Sequence, residues 1–453
     1  MRHIRRLLIA NRGEIALRII RTCRRLGIES VLVVSDADLD SVPARMADRC
    51  VRLSGSHAGA TYLSIERVIA AARQSAVDAV HPGYGFLSEN AGFADACAAH
   101  DIVFVGPTVA QLDAFGDKLK ARSHALAADV SPVPGGDAKT PEEARAMAEK
   151  LGYPVLIKAV GGGGGRGMKP VLHESELDNA FNMAVSEAQA AFNDPRVYME
   201  TYVEHGRHVE VQILGDGQTV IHLGTRDCSV QRRYQKLVEE APAPMLPDDI
   251  REGLHAAAVR LGESVAYRGL GTAEFLVDLE RNAFYFLELN ARIQVEHPVT
   301  EMICGLDLVE EQIRVAEGQP LRFTQQDISF AGHAIECRLN AEDWRQDFRP
   351  DPGTLQRAAF PVKAGVRVDS HMQSGATITP FYDSMVAKLI VHAADREGAV
   401  TGMAEALANS ELKGVKNTIG LHQALMMHPD FRAGGISTRW FPGVFDTLLS
   451  GSL

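Results

Sequence analysis

Short apolar runs alternate with amphipathic stretches along the first hundred residues of the chain. Runs of strand length lie at residues 7–10, 30–35, 77–80 and 102–105. Between the first two runs, residues 14–26 repeat apolar positions at helical spacing, and Gly27 follows as a helix stop. Because strands that alternate with helices form parallel sheets, the pattern predicts an α/β fold that begins with a Rossmann-like sheet.

A second pattern, strict alternation of apolar and polar residues, predicts a hairpin late in the chain. Residues 272–278 and 284–289 alternate like strands, and residues 280–282 between them are typical of a tight turn. A hairpin centred on this turn places Glu274 directly across from Glu288, and like charges that face each other destabilise a sheet. A divalent cation between the carboxylates, with Mg²⁺ favoured, would compensate. The alternative is a solvated hairpin whose two glutamates face water.

Polar side chains continue beyond the second strand of this hairpin. Glu288, Asn290 and Arg292 share one face if the extended conformation continues, because alternate residues of a strand point the same way. Glu296 follows in the same nine-residue stretch. Two carboxylates, an amide and a guanidinium pack poorly in an apolar core, so the segment predicts a site for a metal-bound polyanion.

Five consecutive glycines at 161–165 are the next distinctive feature. They contain a formal GxGxxG and nearly form a Walker A loop, but Met168 stands where that loop needs lysine. Both motifs require a helix to follow, whereas Pro170 and its apolar neighbours favour a strand. The pattern therefore predicts a mobile flap whose backbone N–H groups, together with the preceding Lys158, bind phosphate. A flexible hairpin tip without a ligand is the alternative.

Four further clusters each have a functional and a plainer interpretation. The basic stretch at 226–236 suits anion binding, but a charge run more often lies on a solvated face. His208 and Glu210 alternate as on a strand, and His208 alone is more simply a surface residue. The loop at 81–85 follows a predicted strand, where parallel sheets bind ligands, yet it is also an ordinary turn signal. Arg338, on another alternating stretch, is compatible with a surface charge.

Composition limits the class of protein. The chain has 453 residues, of which 46% are hydrophobic and 23% charged, as in a soluble globular protein with several subdomains. The net charge of −11 argues against nucleic acid as a partner. Six cysteines without a CxxC spacing indicate a reducing compartment and no zinc site. The first apolar run is too short for a signal peptide and no stretch is long enough to span a bilayer, so a cytoplasmic location without membrane attachment is expected.

Several of these segments resemble one family. The glycine run, residues 226–240, the set of Glu274, Glu288 and Asn290, and residues 290–302 together resemble the ATP-grasp enzymes. Residues 10–16, 81–90 and 226–244 narrow the resemblance to biotin carboxylase. The resemblance extends from about residue 4 to residue 445. It implies a Rossmann-like N-terminal domain, an ATP-grasp domain with a mobile glycine-rich lid, and a C-terminal biotin-carboxylase domain. The implied boundaries are 1–112, 113–203 with the lid at about 131–203, 204–330, 331–445, and a tail at 446–453. By pattern alone, residues 434–453, which begin with two glycines, are expected to form an irregular tail.

The resemblance also implies roles for individual residues. The implied catalytic groups are Lys236, Arg292, Glu296 and Arg338. The implied ligands of Mg²⁺ or Mn²⁺ are Glu274, Glu288 and Asn290. The implied ATP contacts are Lys118, Lys158, Gly164, Gly165, Glu200, Thr201, Tyr202, Val203, His208, Gln231 and Tyr234. The implied contacts of bicarbonate are Gln294 and the Val295 backbone, beside Lys236 and Arg292, and Tyr84 and Asp383 are expected near the biotin ring.

The implied reaction is the ATP-dependent carboxylation of biotin. Glu296 takes a proton from bicarbonate, which attacks the γ-phosphate to give carboxyphosphate. This intermediate breaks down to CO₂ and phosphate, phosphate takes the biotin N1 proton, and the biotin enolate, opposite Arg338, captures CO₂. Tyr234 stands where the family often has His or Asn, Val160 replaces a common Ser, and the loop at 344–347 is unusual. None of these departures removes a catalytic group, so activity is expected.

Partners are implied as well. No Met-Lys-Met biotin-acceptor tripeptide occurs in the sequence, so a separate biotin carboxyl carrier protein and carboxyltransferase subunits are expected, as in an acyl-CoA carboxylase of fatty acid biosynthesis. Arg18, Arg21 and Arg24 share a helical face that the family suggests as a homodimer contact, with a solvated stripe as the alternative. Two other functions stay open: an ATP-grasp ligase that activates a different carboxylate, and a non-catalytic nucleotide-binding regulator.

Overall fold

The first part of the chain forms a five-stranded parallel sheet with helices between its strands. The computed structural model describes residues 2–161 and 167–450. The elements here are β1 (Arg6–Ile9), α1 (Gly13–Leu26), β2 (Glu29–Ser35), α2 (Val42–Met46), β3 (Arg49–Leu53), α3 (Ile65–Gln74), β4 (Ala79–His81), α4 (Ala91–Ala99), β5 (Val103–Phe104) and α5 (Val109–Gly116). The strand order β3-β2-β1-β4-β5 reverses between β1 and β4, so the loops after these strands open where α/β sheets bind ligands. The predicted Rossmann-like sheet is confirmed.

A small antiparallel sheet follows, in the order β6-β9-β7-β8. Its part of the chain contains α6 (Lys118–Ala127), β6 (Gly135–Ala138), α7 (Pro141–Leu151), β7 (Val155–Ala159), β8 (Met168–Val171), α8 (Leu177–Phe192) and β9 (Val197–Thr201). Strands β7 and β8 pair on either side of the glycine run, as the sequence predicted. The predicted phosphate contacts Gly164 and Gly165 lie outside the described residues.

An eight-stranded sheet forms the centre of the molecule, in the order β14-β13-β10-β11-β12-β15-β22-β20. Its first part comprises β10 (Arg207–Asp216), β11 (Val220–Arg232), β12 (Gln235–Ala241), α9 (Asp248–Ser264), β13 (Arg268–Asp278), β14 (Ala283–Asn290), α10 (His297–Cys304) and α11 (Leu308–Ala316). In the β13–β14 hairpin Glu274 pairs directly with Glu288, which is the predicted register.

The last part of the chain extends this sheet rather than forming a separate one, because β12 pairs with β15. Its elements are β15 (His333–Asn340), β16 (Glu342–Asp343), β17 (Arg349–Pro350), β18 (Gly353–Thr354), β19 (Arg357–Ala359), β20 (Val366–Ser370), β21 (Thr377–Ile378), β22 (Met385–Ala393), α12 (Arg396–Ala408), β23 (Glu411–Lys413), α13 (Ile419–Met427), α14 (Pro429–Ala433) and α15 (Trp440–Ser450). The sequence predicted an irregular tail from residue 434 onward. That prediction is wrong for α15, which buries Phe441 and Leu448 in the core of this part.

Clusters of buried hydrophobic side chains lie between the two large sheets and the helices packed on them. Helix α1 shows the local signals that bound such elements: it ends at Gly27, whose φ of 71° is left-handed and closes the helix through N–H bonds to Arg24 and Cys23. Among the described residues, no helix is both long and apolar enough to cross a membrane.

Candidate active site

A cavity of about 1040 Å³ lies where the three sheets meet. Its walls come from the loops after β1 and β4, the small sheet, the strands β10 to β14, and β15. Every site residue named from the sequence that the structure describes lines this cavity, with the exception of Glu296, which lies directly behind the wall. The structure therefore brings together side chains that are up to about 300 positions apart in the sequence.

The facing carboxylates of Glu274 and Glu288 form one wall of the cavity. Glu274 accepts from Asn290 Nδ2 at 2.9 Å and from Gln294 Nε2 at 3.2 Å, and its other oxygen lies 2.9 Å from His208 Nε2. No described residue donates a hydrogen bond to the side-chain carboxylate of Glu288. Burial, followed by repulsion from Glu274, raises the pKa of Glu288, so this carboxylate is held in a site that favours a compensating positive charge.

Lys236 lies at the centre of a carboxylate cluster. Its Nζ lies 2.6 Å from Glu210 Oε2, 2.6 Å from Glu296 Oε1 and 3.1 Å from Glu274 Oε1. Burial alone would lower the pKa of Lys236, but Cys228 and these carboxylates raise it well above its usual range. The ammonium is therefore charged at neutral pH, and it holds three acidic side chains together.

Glu296, at the start of α10, is fully buried and yet ionised. Burial would raise its pKa, but the charges of Lys236 and Arg338 overcome this effect and hold the pKa well below the usual range. Arg338 Nη2 donates to Glu296 Oε2 at 3.1 Å, and Arg338 Nε donates to Glu239 Oε1 at 2.6 Å. Burial raises the pKa of Glu239 to about 7, although Arg338 opposes the shift. Glu296 thus has one oxygen on Lys236 and the other on Arg338.

Arg292 lies beside this cluster, at the end of the β13–β14 hairpin. Its guanidinium donates to Glu89 at 2.8 Å, to Asn290 Oδ1 at 2.8 Å and to Gln294 Oε1 at 2.9 Å. Three residues further along the chain, the Val295 carbonyl accepts a hydrogen bond from Lys388 Nζ at 2.8 Å. These contacts fix both the fork of Arg292 and the backbone beside it.

Two lysines face the same cavity from the other side. Lys158, on β7, is buried and forms an ion pair with Glu200 on β9. The Glu200 carboxylate therefore lies beside the lysine that is predicted to bind phosphate. Lys118 begins α6. Burial lowers its pKa, and the nearby charge of Glu288 opposes that effect. Both ammonium groups therefore lie near the carboxylate wall.

The far end of the cavity is bounded by the strand end at 201–203 and by the tip of the β11–β12 hairpin. Thr201 donates its N–H to Pro134 at 2.8 Å, whereas the N–H of buried Val203 has no acceptor among the described residues. Gln231 Nε2 lies 2.7 Å from His208 Nδ1. Tyr234, at the hairpin tip, leaves 46% of its surface exposed. This end of the cavity therefore offers the backbone N–H of Val203 as a hydrogen-bond donor and the exposed ring of Tyr234. Tyr202 also lines this end.

The opposite end lies at the loop after β4. Tyr84 donates its hydroxyl to Glu14, and Glu14 also lies 3.1 Å from Lys388 Nζ. Asp383, in the loop before β22, accepts the Met385 N–H at 2.8 Å and lines the cavity. Tyr84 and Asp383 thus line the same cavity as Arg338.

Several plainer interpretations of the sequence are wrong. His208 is not a surface residue, since only 12% of its side chain is exposed. Arg226 is fully buried, and its guanidinium binds Glu210 and Gln212. Arg338 is tied to two buried glutamates rather than lying on the surface. Arg18 is buried against Glu301 and Asp307 and belongs to no solvated stripe.

Four charged groups of the cluster were missed from the sequence: Glu89, Glu210, Glu239 and Lys388. Glu210 belongs to an alternating stretch of the sequence, but that pattern assigns it no part in the site. The signal for Lys388 was available, because a lysine in the apolar run of β22 must have a buried partner. Glu89 and Glu239 had no local signal, since their partners lie about 200 and 100 residues away.

The donor set fits a hard divalent cation. Two carboxylates face each other across the hairpin, one of them without a hydrogen-bond donor among the described residues, and the Asn290 amide adjoins them. Oxygen ligands of this kind suit Mg²⁺ or Mn²⁺ with substrate phosphates completing the shell. The Asn290 oxygen accepts from Arg292, so the two glutamates are the stronger candidates for direct contact.

Three family models match successive parts of the chain. Residues 3–112 match the biotin carboxylase N-terminal domain, residues 117–324 the ATP-binding domain of the carbamoyl-phosphate synthase L chain, and residues 336–442 the biotin carboxylase C-terminal domain. Together these matches span nearly the whole chain.

Individual relatives agree with the family models. The chain is 49% identical to biotin carboxylase of Nostoc sp. over 96% of its length and 97% of that protein. It is 47% identical to a pyruvate carboxylase subunit of Methanothermobacter thermautotrophicus, over 96% of its length and 89% of that protein. The biotin carboxylase domain dimer of Hydrogenobacter thermophilus 2-oxoglutarate carboxylase, solved with magnesium ADP, ADP and bicarbonate, superposes with a TM-score of 0.95 at 44% identity and covers 99% of each chain. The chain belongs to the biotin carboxylase family.

Proposed function

We propose that the chain carboxylates biotin on a separate carrier protein, with ATP and bicarbonate as the other substrates and ADP and phosphate as products. The observation that carries the proposal is the convergence of Glu296, Lys236 and Arg338 next to the Arg292 fork, opposite the facing pair Glu274 and Glu288. Such a cluster brings a base, a planar-anion site and a polyphosphate site into one cavity.

Bicarbonate binds between Arg292 and Lys236 in this proposal. Arg292 exchanges its hydrogen bonds to Asn290 and Gln294 for two parallel hydrogen bonds to the planar oxyanion, and Gln294 with the Val295 N–H completes the site. Glu296, ionised and directly beside Lys236, takes the proton of bicarbonate. The oxygen that loses this proton forms a bond to the γ-phosphorus of ATP, the bond to the ADP oxygen breaks, and carboxyphosphate results.

Lys118 and Lys158 neutralise the phosphate charge that builds up during this transfer, since both line the cavity and both are influenced by the charge of Glu288. Glu274 and Glu288 would hold Mg²⁺, with Asn290 beside them. A metal ion held by these residues would polarise the transferring phosphoryl group and shield its charge from the two glutamates. The base of ATP lies at the far end, against Glu200, Thr201, Tyr202 and Val203, with His208, Gln231 and Tyr234 on the other side.

Carboxyphosphate then divides into CO₂ and phosphate, and phosphate takes the N1 proton of biotin. The negative charge moves to the ureido oxygen of biotin, which Arg338 stabilises. The N1 lone pair forms the new bond to CO₂. In this proposal the biotin ring enters at the end of the cavity that Tyr84 and Asp383 line, and its N1 faces the phosphate that accepts its proton.

Purified protein with Mg²⁺, ATP, bicarbonate and free biotin should release ADP at a rate that depends on both bicarbonate and biotin. Glu296→Gln keeps the side-chain shape but removes the base, so ADP release should fall by about 10²–10⁴-fold while ATP still binds. A chain that binds ATP but shows no bicarbonate-dependent turnover would be a nucleotide-binding regulator. Turnover that ignores biotin would instead indicate a ligase for another carboxylate.

We also propose that the active form is a homodimer with a separate biotin carboxyl carrier and carboxyltransferase subunits. The Hydrogenobacter relative is described as a dimer, which supports the first part. The relatives carry names that refer to pyruvate and 2-oxoglutarate as well as to biotin alone, so fatty acid synthesis is one of several roles compatible with the family. Affinity capture of the native chain, followed by identification of the biotinylated carrier and the transferase, assigns the acceptor.

A further inference from the structure

The tip of the β11–β12 hairpin is a strained two-residue turn. Arg232 pairs with Gln235, and the residues between them, Arg233 and Tyr234, have φ values of 47° and 66°. Turns of this type normally carry Asn or Gly, because other side chains are strained at positive φ. A tyrosine held in this conformation needs support from outside the hairpin.

A second strained turn faces this tip. Asp347 and Phe348, in the loop between β16 and β17, have φ values of 53° and 57°. Asp tolerates the left-handed region, whereas a phenylalanine there is an outlier.

Arg232 connects the two turns. Its guanidinium carbon lies 4.3 Å from the centre of the Phe348 ring, and its Nη2 donates to the Asp347 carbonyl at 2.8 Å. The Asp347 carboxylate binds Arg232 as well, and Arg233 Nη2 lies 3.1 Å from its other oxygen. The Arg232 side chain is only 15% exposed, so most of its charge is compensated inside this contact.

The far side of the contact is anchored in the core. Phe348 is buried and packs on Phe441 and Phe445 of α15, with ring centres 6.3 Å and 5.6 Å apart. The loop at 347–348 is therefore tied to the C-terminal helix, and it is a fixed support for the hairpin tip rather than a free surface loop.

We propose that Asp347 is a positioning residue for the nucleotide. Together with Phe348 it holds Arg232, and through Arg232 it sets the turn that presents Tyr234 to the cavity, which Arg232 and Phe348 also line. Lys236, on the same hairpin, is held separately by three carboxylates. Loss of Asp347 therefore weakens ATP binding and leaves the chemical step intact. The inference deepens the proposed function and rests on the cavity being the ATP site.

The test uses two substitutions of Asp347 in the full-length protein. Asp347→Gly keeps the backbone conformation and removes the side chain, and Asp347→Asn keeps the shape and removes the charge. Each should raise both the Kd and the KM for ATP about fivefold, while kcat stays within about twofold, because an ion-pair network at a partly exposed site contributes on this scale.

Arg345→Ala is the matched control. Arg345 lies in the same loop and packs on Trp344 at 4.0 Å, and among the described residues no hydrogen bond, ion pair or ring contact joins it to the hairpin. If it raises the Kd for ATP as much as Asp347→Gly, the loop acts only through stability and the proposal is overturned. An unchanged Kd in both Asp347 variants also overturns it. The Kd for ATP is measured by binding and needs no turnover. Wild-type protein that binds ATP but shows no turnover would therefore refute only the proposed function, and the Asp347 variants would still test this proposal.

Discussion

At the scale of single residues, the site buries charged side chains whose repulsion and loss of hydration lower the stability of the protein when no substrate is bound. Glu274 and Glu288 face each other, and the second has no hydrogen-bond donor among the described residues. Lys236, Glu210 and Glu296 are buried together, so each ion depends on the others to offset its loss of hydration. Enzymes commonly accept such a cost in stability where charge must be stabilised during the reaction.

Glu288→Gln should therefore separate stability from activity. Removal of one of two facing charges is expected to raise the free energy of unfolding of the metal-free protein by up to about 1 kcal/mol. The same change removes a proposed metal ligand, and it should lower kcat/KM by about 100-fold at fixed Mg²⁺. Urea unfolding without metal and turnover over a Mg²⁺ titration measure the two effects.

Glu280→Gln provides the comparison for this substitution, because Glu280 lies on the exposed turn of the same hairpin. It should change neither quantity appreciably. A Glu288→Gln protein that is less stable than wild type without metal would contradict the view that the two glutamates repel each other across the hairpin.

At the scale of elements, the sequence predicted the strands that carry the site, but not all of their neighbours. The Glu274–Glu288 register followed from alternation and a short turn, since these are local signals. Helix α15 was missed because Pro442 and Gly443 lie in its first turn. A proline is tolerated there, and the packing of Phe441 and Phe445 on Phe348 outweighs the weak propensity of the segment.

Two histidines on neighbouring elements predict a pH dependence of stability. His222 on β11 and His255 on α9 stack with ring centres 3.8 Å apart. Burial lowers the pKa of His222 to about 4, and burial with the charges of His222 and Arg251 lowers that of His255 to about 3. In the unfolded chain both titrate near 6.5. Their contribution is therefore complete above about pH 6.5 and declines as the pH falls toward 4.

His255→Phe keeps the stacked ring and removes one titrating group. Between pH 7 and pH 5, the free energy of unfolding of the variant should fall by about 1–2 kcal/mol less than that of wild type. Urea unfolding at the two pH values measures this difference. The same substitution at exposed His100 should leave the pH dependence as it is in wild type. Parallel pH curves for His255→Phe and wild type would rule out the stacked pair as a cause.

At the scale of the whole molecule, the site is built across three sequence regions that no local pattern connects. Lys388 of β22 holds the Val295 carbonyl and Glu14 of α1 together. Glu301 of α10 binds both Arg18 of α1 and Arg367 of β20. Contacts of this range depend on the packed fold, which explains why spacing indicated only the hairpin part of the site, while the residues on other elements were indicated through family resemblance.

Glu301→Gln tests how strongly these regions depend on one another. The variant leaves one buried and one partly buried guanidinium short of a charged partner, Arg18 with Asp307 alone and Arg367 with Asp369 alone. The free energy of unfolding should fall by about 3–5 kcal/mol, because breaking a buried ion pair strands the remaining charge. The exposed pair Lys363–Glu405 offers a control, since Glu405→Gln should cost less than about 1 kcal/mol. If urea unfolding shows equal losses for the two variants, the buried network does not join the regions energetically, and each region would be stable by its own core.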